Sequence, residues 1–270
     1  MLPMPPHPLD RCLRAACGAA LDAGALLARH IGRPRTVRTK RSAIDLVTEI
    51  DGRAERLIRA RLRRAAPGFG FLGEEQGGDR AGVEARWIVD PLDGTNNFVH
   101  GLPLFGVSIA LELRGRMILG VIYDPMRREL FTAVRGRGAR LNGRRIRVSG
   151  TPRLGVSLLA TGFSSRFLRR DEPFLGWFRA AQRNSHGVRR IGSTVICLAA
   201  VAAGRLEGFY ERDLWPWDIA AGMLLVEEAG GRITNFDGQP PVLEEGRLVA
   251  TNGRIHAALL RVLRSASSTR

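Results

Sequence analysis

The chain reads as an α+β protein, and three changes of texture predict it. Residues 9–66 carry helical spacing, residues 104–147 carry short strand-like runs, and beyond residue 150 strands and helices alternate. Neither a pure helical bundle nor an all-β sandwich accommodates that succession of periods. The change near residue 150 divides the chain into an N-terminal half, 1–150, and a C-terminal half, 151–270, within one compact unit.

Taken in order, Leu9, Cys12, Leu13, Ala16, Ala20, Ala23 and Leu27 recur at helical intervals, and Gly32 and Pro34 mark the stop. Residues 36–48 read as two short extended pieces around a Lys-Arg-Ser turn. A second helix is expected from about Ile50 to Ala66, with Leu57, Ile58 and Leu62 inward and five arginines between 56 and 64 largely outward. Residues 70–75 read as a short strand running into an acidic loop. Trp87 to Val89 reads as the end of a buried strand, followed by a turn at Asp90-Pro-Leu-Asp-Gly-Thr. Val107–Leu113, Met117–Tyr123 and Glu129–Val134 then form an antiparallel meander, residues 136–143 a further turn, and Arg144–Val148 a last short strand. In the second half, strands are expected at 156–160, 187–190, 206–211, 231–234 and 248–250, and helices at 171–182, 193–203, 217–228 and 255–263.

Composition narrows the class. Hydrophobic residues at 44% and charged residues at 25% over 270 positions suit a soluble globular chain with a sizeable core. The longest apolar run, Val195 to Ala203, falls well short of the roughly 18 residues a membrane span needs. The Pro-rich start lacks the charged and apolar segments of a secretion signal, so a cytoplasmic location is expected. Cys12, Cys17 and Cys197 show no metal-site or disulfide spacing and read as buried free thiols. The net charge of +16 comes from a cationic set that is arginine throughout except for Lys40, the one position at which a compact ammonium stands.

Acidic residues recur at four separated places: Asp45 and Asp51, Glu74 and Glu75, Asp90 and Asp93, and Asp218 after Trp-Pro-Trp. If strand ends bring them together, bare carboxylates would repel one another and resist burial. Divalent cations resolve that conflict. An all-oxygen set without His or Cys at useful spacing favours Mg²⁺, which keeps waters and takes substrate phosphate. Gly94 and Thr95 stand where a helix start would offer free N–H groups to an anion. The residues therefore point to Mg²⁺-dependent phosphoryl transfer or phosphoester hydrolysis. Taken alone, Asp218 reads as a helix N-cap, Glu75 as a solvated neighbour, and Asp45 as a hairpin brace.

Four collinear motifs, Asp45-Leu-Val-Thr-x-x-Asp51, Gly73-Glu-Glu75, Trp87 to Phe98 and Trp217-Asp-x-Ala-Ala-Gly222, resemble the inositol monophosphatase family over nearly the whole chain. The resemblance implies a five-layered α/β/α/β/α sandwich, a homodimer, and Mg²⁺-dependent, Li⁺-sensitive hydrolysis of myo-inositol monophosphate by metal-activated water. Two or three ions are implied, the first held by Glu74, Asp90 and the carbonyl of Leu92, the second by Asp90, Asp93 and Asp218, and a third by Glu74 and waters. Glu74 and Thr95, the latter oriented by Asp51, are the implied catalytic groups, with the N–H groups of Gly94 and Thr95 on the phosphate. Lys40 matches the family's lysine near the third ion.

The alcohol half of a small phosphorylated polyol would be read by Gly192, Ser193 and Thr194 at a strand-to-helix turn, and the resemblance implies Glu211 as the acidic residue that receives its hydroxyls. Related enzymes with the same metal motifs take fructose 1,6-bisphosphate, histidinol phosphate or 3′-phosphoadenosine 5′-phosphate, and some bacterial relatives act in transcription complexes. An additional role on RNA has the arginine clusters at 56–64, 135–147 and 166–170 in its support, and the lack of interleaved aromatics against it. His30, His100, His186 and His256 carry no assigned role.

Overall fold

Helix α1 (Pro8–His30) buries Cys12, Ala16, Ala19, Ala20, Ala23 and Leu27, a stripe of mostly small side chains at three- and four-residue spacing. It packs on α2 (Glu49–Ala65), which offers Ile50, Ala54, Ile58 and Leu62. Thr48 caps α2 in a reciprocal capping box with Asp51. Leu57 is only half-buried; the inward face of α2 holds the carboxylates of Asp51 and Glu55 instead. In this computed structural model the described residues are 8–34, 36–39, 46–78, 84–163 and 174–267. Strands β1 (Val37–Thr39) and β2 (Leu46–Thr48) pair antiparallel. Residues 40–45 between them, with Lys40 and Asp45, lie outside the described residues, as does the arginine cluster at 166–170.

The first large sheet comprises β3 (Gly70–Gly73), β4 (Gly77–Gly78), β5 (Ala85–Asp93), β6 (Gly106–Leu113), β7 (Arg116–Asp124), β8 (Glu129–Val134), β9 (Gly138–Leu141) and β10 (Arg144–Arg145). Its order is β10-β9-β8-β7-β6-β5-β3-β4, antiparallel except where β3 joins β5. Three expectations change here. The stretch 136–143 is not one turn, because β9 lies between two hairpin corners, one of them an Asn142-Gly143 pair with both residues at positive φ. The last strand is correspondingly short, ending at Arg145. The third change concerns β5, which does not stop at Val89 but runs on to Asp93 past a break in register, helix α3 (Thr95–Val99) following directly.

In the second half, a 3-10 turn over Leu154–Val156 occupies the start of an expected strand, so β11 begins at Leu158 (Leu158–Thr161). Then follow α4 (Phe174–Arg183), β12 (Gly187–Arg189), α5 (Thr194–Ala202), β13 (Gly208–Glu211), α6 (Pro216–Glu228), β14 (Arg232–Thr234), β15 (Leu248–Thr251) and α7 (His256–Ser267). The five-stranded sheet has the order β12-β11-β13-β15-β14, with β11 parallel to both neighbours.

Helix packing stacks these parts into five layers, α/β/α/β/α. Helices α1 and α2 cover one face of the large sheet, α5 and α6 lie between the two sheets, and α4 and α7 cover the outer face of the small one. Most residues of α5 and α6 are buried, as two-sided contact requires. The Ala220-Ala-Gly222 motif explains how α6 fits. A Cβ on Gly120 of β7 would lie 2.8 Å from the Ala221 carbonyl oxygen, and one on Gly222 would lie 2.4 Å from Leu198 of α5. Larger residues at these positions would push α6 off the sheet, and the start of that helix carries Asp218.

Candidate metal centre

Asp90 and Asp93 are three residues apart, so in a regular strand their side chains would leave opposite faces. The pairing of β5 with β6 runs Asp90 to Ser108 and then Asp93 to Gly106, so β5 carries one extra residue at this point. That bulge resets the alternation, and Pro91, which has no N–H to give a ladder, sits inside it. Ser108, opposite Asp90, donates to the Trp217 carbonyl at 3.1 Å and so holds the start of α6 against β6. Carboxylate oxygens of Asp90, Asp93 and Asp218 consequently lie within 4.8 Å of one another.

Asp218 is not the N-cap expected of it in isolation. It occupies the third helical position, where its Oδ2 accepts the Trp215 N–H at 2.7 Å, and its carboxylate also joins the acidic group. The Glu74 carboxyl reaches Asp90 from the loop after β3. Burial raises the pKa of Asp90 well above the carboxylate range, and the charges of Glu74, Asp93 and Asp218 raise it further. Asp218 is raised well above it by burial, then by Asp93 and Glu74. Asp93 is pushed up to about 6 by burial, although Ser193 and the Val195 N–H pull it down. Carboxylates packed in this way hold protons or a cation.

The donor set fits a hard divalent ion: it is oxygen alone, and among the described residues the charges facing Asp90 and Asp218 are all negative. Cys197 lies near enough to feel Glu211 and Asp93, and burial followed by those charges raises its thiol well above its usual value, so it stays protonated. The free, buried state expected of Cys12 and Cys197 holds, while Cys17 is half-buried.

Beside the acids, the Thr95 hydroxyl stands 3.2 Å from both Asp51 Oδ1 and the Leu92 carbonyl oxygen. Asp51 is fully buried, and its other oxygen takes the Thr48 N–H and hydroxyl at 2.9 and 2.5 Å. One carboxylate thus caps α2 and orients a hydroxyl at the acidic cluster. Gly94, at φ 93°, takes the N-cap position of α3 in the left-handed region.

A family model described as the inositol monophosphatase family matches residues 9–268. The chain belongs to that family. It is 46% identical over 93% of its length to a Pseudomonas aeruginosa protein named Nus factor SuhB, 95% of which is covered. It is 44% identical, over 93% of this chain and 96% of the other, to a Mesorhizobium japonicum protein named inositol-1-monophosphatase. A solved structure of inositol monophosphatase from Anabaena superimposes with a TM-score of 0.87 at 40% identity, covering 95% of this chain and 96% of that one.

The inositol monophosphatase fold gathers the expected residues unevenly. Asp51, Glu74, Asp90, Leu92, Asp93, Thr95 and Asp218 form one connected group, whereas Lys40 lies outside the described residues. Ser193, expected to read substrate, donates to Asp93 Oδ2 while capping α5 through the Ile196 N–H at 3.2 Å. The Val195 N–H adds a second bond to the same Asp93 oxygen at 2.9 Å. Thr194 donates to Glu211 at 3.3 Å, and Glu211 is pushed up to about 8 by burial and by Asp93.

Two polar residues of the site escaped the sequence reading. Glu55 is buried on α2, where it accepts the N–H groups of Glu75 and Gln76 at 2.8 and 3.0 Å and thereby fixes the loop that carries Glu74. An acidic residue among arginines on a helix looks like an ion-pair partner; only its inward phase, one turn beyond Asp51, distinguishes it. Asn97 bridges the two halves of the chain, and its position inside the 87–99 stretch was its only sequence signal.

Proposed function

We propose that this chain is a Mg²⁺-dependent phosphomonoesterase that hydrolyses myo-inositol monophosphate to inositol and phosphate. The observation that carries the reading is the convergence of Asp90, Asp93 and Asp218, from a strand bulge and a helix start, next to an oriented Thr95 hydroxyl. Glu74, Asp90 and the Leu92 carbonyl would hold one ion and Asp90, Asp93 and Asp218 a second, with Glu74 and waters on a third. Bound Mg²⁺ supplies the positive charge that acidifies water and offsets charge on the phosphate. The Thr95 hydroxyl has one hydrogen. When Asp51 takes it, the lone pairs of Thr95 are left to accept a proton-bearing water and aim it, with Glu74 as the second acceptor. The N–H groups of Gly94 and Thr95 would receive phosphate oxygens. Glu211, whose raised pKa keeps a proton on it near neutrality, and the Thr194 hydroxyl would meet the hydroxyls of the polyol.

The test is phosphate release from inositol 1-phosphate with and without Mg²⁺, alongside fructose 1,6-bisphosphate, histidinol phosphate and 3′-phosphoadenosine 5′-phosphate. Mg²⁺-dependent turnover with inositol 1-phosphate preferred is the expected result. Asp93→Asn and Glu74→Gln should each lower turnover by at least about a hundredfold, the scale for losing one preorganised electrostatic group. Normal activity in either folded variant removes the site assignment.

A second reading has its own support in the relative named Nus factor SuhB and in a net charge of +16. It holds that the arginine-rich surface also engages RNA. Salt-dependent RNA retention that persists in Asp93→Asn is its expected signature, and no retention at low salt ends it.

A further inference from the structure

The two turns assigned to the substrate, Gly94–Thr95 and Gly192–Thr194, come from opposite halves of the chain, yet their backbones touch. A Cβ on Gly94 would lie 3.0 Å from the Leu104 carbonyl oxygen and 3.3 Å from that of Gly192. Both glycines have positive φ, 93° and 81°, and one side chain ties the second of them to the loop that follows the first. That side chain is Asn97. Its Nδ2 donates one hydrogen to the Leu104 carbonyl at 2.7 Å and the other to the Ile191 carbonyl at 2.9 Å. A Cβ on Gly192 would meet the same amide nitrogen at 3.0 Å. The main-chain carbonyl of Asn97, in turn, accepts the Leu102 N–H at 2.8 Å, which closes the loop between α3 and β6.

We propose that Asn97 is a positioning residue that sets the spacing between the phosphate-receiving turn and the alcohol-reading turn, and so tunes the preference for a polyol ester. The proposal rests on the phosphatase reading above. Its physical basis is that one planar amide has two donors at a fixed angle, and two carbonyls from separate segments must both lie on them. Ser193 and Val195 already tie the second turn to Asp93, which fixes one end of it. Asn97 fixes the other end at Ile191, so the turn is held at two points and cannot rock about Asp93. An ester that touches only the first turn is indifferent to that rocking. One that must reach Thr194 and Glu211 as well is not, because sub-ångström displacement of a positioning group weakens alignment at the reacting centre.

The experiment compares kcat/KM for inositol 1-phosphate and for p-nitrophenyl phosphate, whose alcohol has no ring hydroxyls, in wild type, Asn97→Asp and Asn97→Ala. Asn97→Asp keeps the shape and removes both donors. Expected is a loss of about tenfold or more on inositol 1-phosphate, largely in KM, against a loss of at most about threefold on p-nitrophenyl phosphate. Mg²⁺ affinity by calorimetry should match wild type. Equal losses on both esters, or a fall in Mg²⁺ affinity, would mean that Asn97 supports the fold or the metal ligands, and the proposal fails. Wild-type discrimination in both variants also overturns it. A wild-type enzyme inert on every phosphomonoester is a different outcome: it removes the phosphatase reading, and this proposal with it.

Discussion

Two polar clusters in this molecule, one buried and one partly buried around Asp90, behave in opposite ways. In one, His256 lies between the hydroxyls of Thr234 and Thr251, each ring nitrogen 2.9 Å from an oxygen, and the group is complete within the chain. In the other, Asp90, Asp93, Asp218 and Glu74 face one another with charges of one sign, and burial raises the pKa of the three aspartates. The first cluster is satisfied by its own partners and serves the packing of α7 on the small sheet. The second sets like charges against one another, with no cation among the described residues facing Asp90 or Asp218. Burial alone does not mark a functional site; burial with an unmet electrostatic demand does.

That contrast is broken most directly by Asp90→Asn. Phosphate release should fall by at least about a hundredfold, while the metal-free protein should melt higher, because a repelling charge has been removed. A lower melting temperature in the absence of metal would mean that the acidic cluster stabilises the fold rather than burdening it.

Next in size is the pH dependence of metal stabilisation. A carboxyl whose folded pKa is raised contributes stability that is fully present below its unfolded value near 4 and is lost as pH rises through the folded value. For Asp93 that loss spans about pH 4 to about 6, and for Asp90 and Asp218 it continues higher. Saturating Mg²⁺ should therefore raise the melting temperature more at pH 8 than at pH 5, measured by scanning calorimetry. An equal shift at both values would remove the cation from the cluster.

The smallest expected effect belongs to the self-sufficient cluster. Burial pushes His256 down to about 4, so its contribution is present above about pH 6.5 and is lost as pH falls through 4. The wild type should lose on the order of 3 kcal/mol across that window from this group. His256→Gln should flatten that limb of the denaturation profile, lower stability near neutrality, and leave kcat within about twofold. A large fall in kcat would show that the two clusters are coupled after all.

The motifs themselves, and the order of helices and strands, follow from local rules. Small residues at helical spacing make α1, Thr48 and Asp51 cap α2, and Ser193 caps α5, all from neighbours within a few positions. The identity of the carboxylates was legible for the same reason, since Asp90-Pro-Leu-Asp93-Gly-Thr lies on one continuous stretch. Their common direction was not. Asp90 and Asp93 share a face only because β6 offers one residue fewer than β5 across the bulge, and pairing of Asp90 with Ser108 and of Asp93 with Gly106, remote in the chain, decides that. Ser193 likewise looked like a free hydroxyl beside the substrate, but chain folding brings Asp93 to it from 100 positions away. Glu55 and Asn97 matter through backbone N–H and carbonyl groups, which every residue has and which carry no sequence signal. The sequence determined which groups could hold a cation and a phosphate. Only the tertiary structure decided which of them meet, because strand register and interlayer packing are set by contacts remote in the chain.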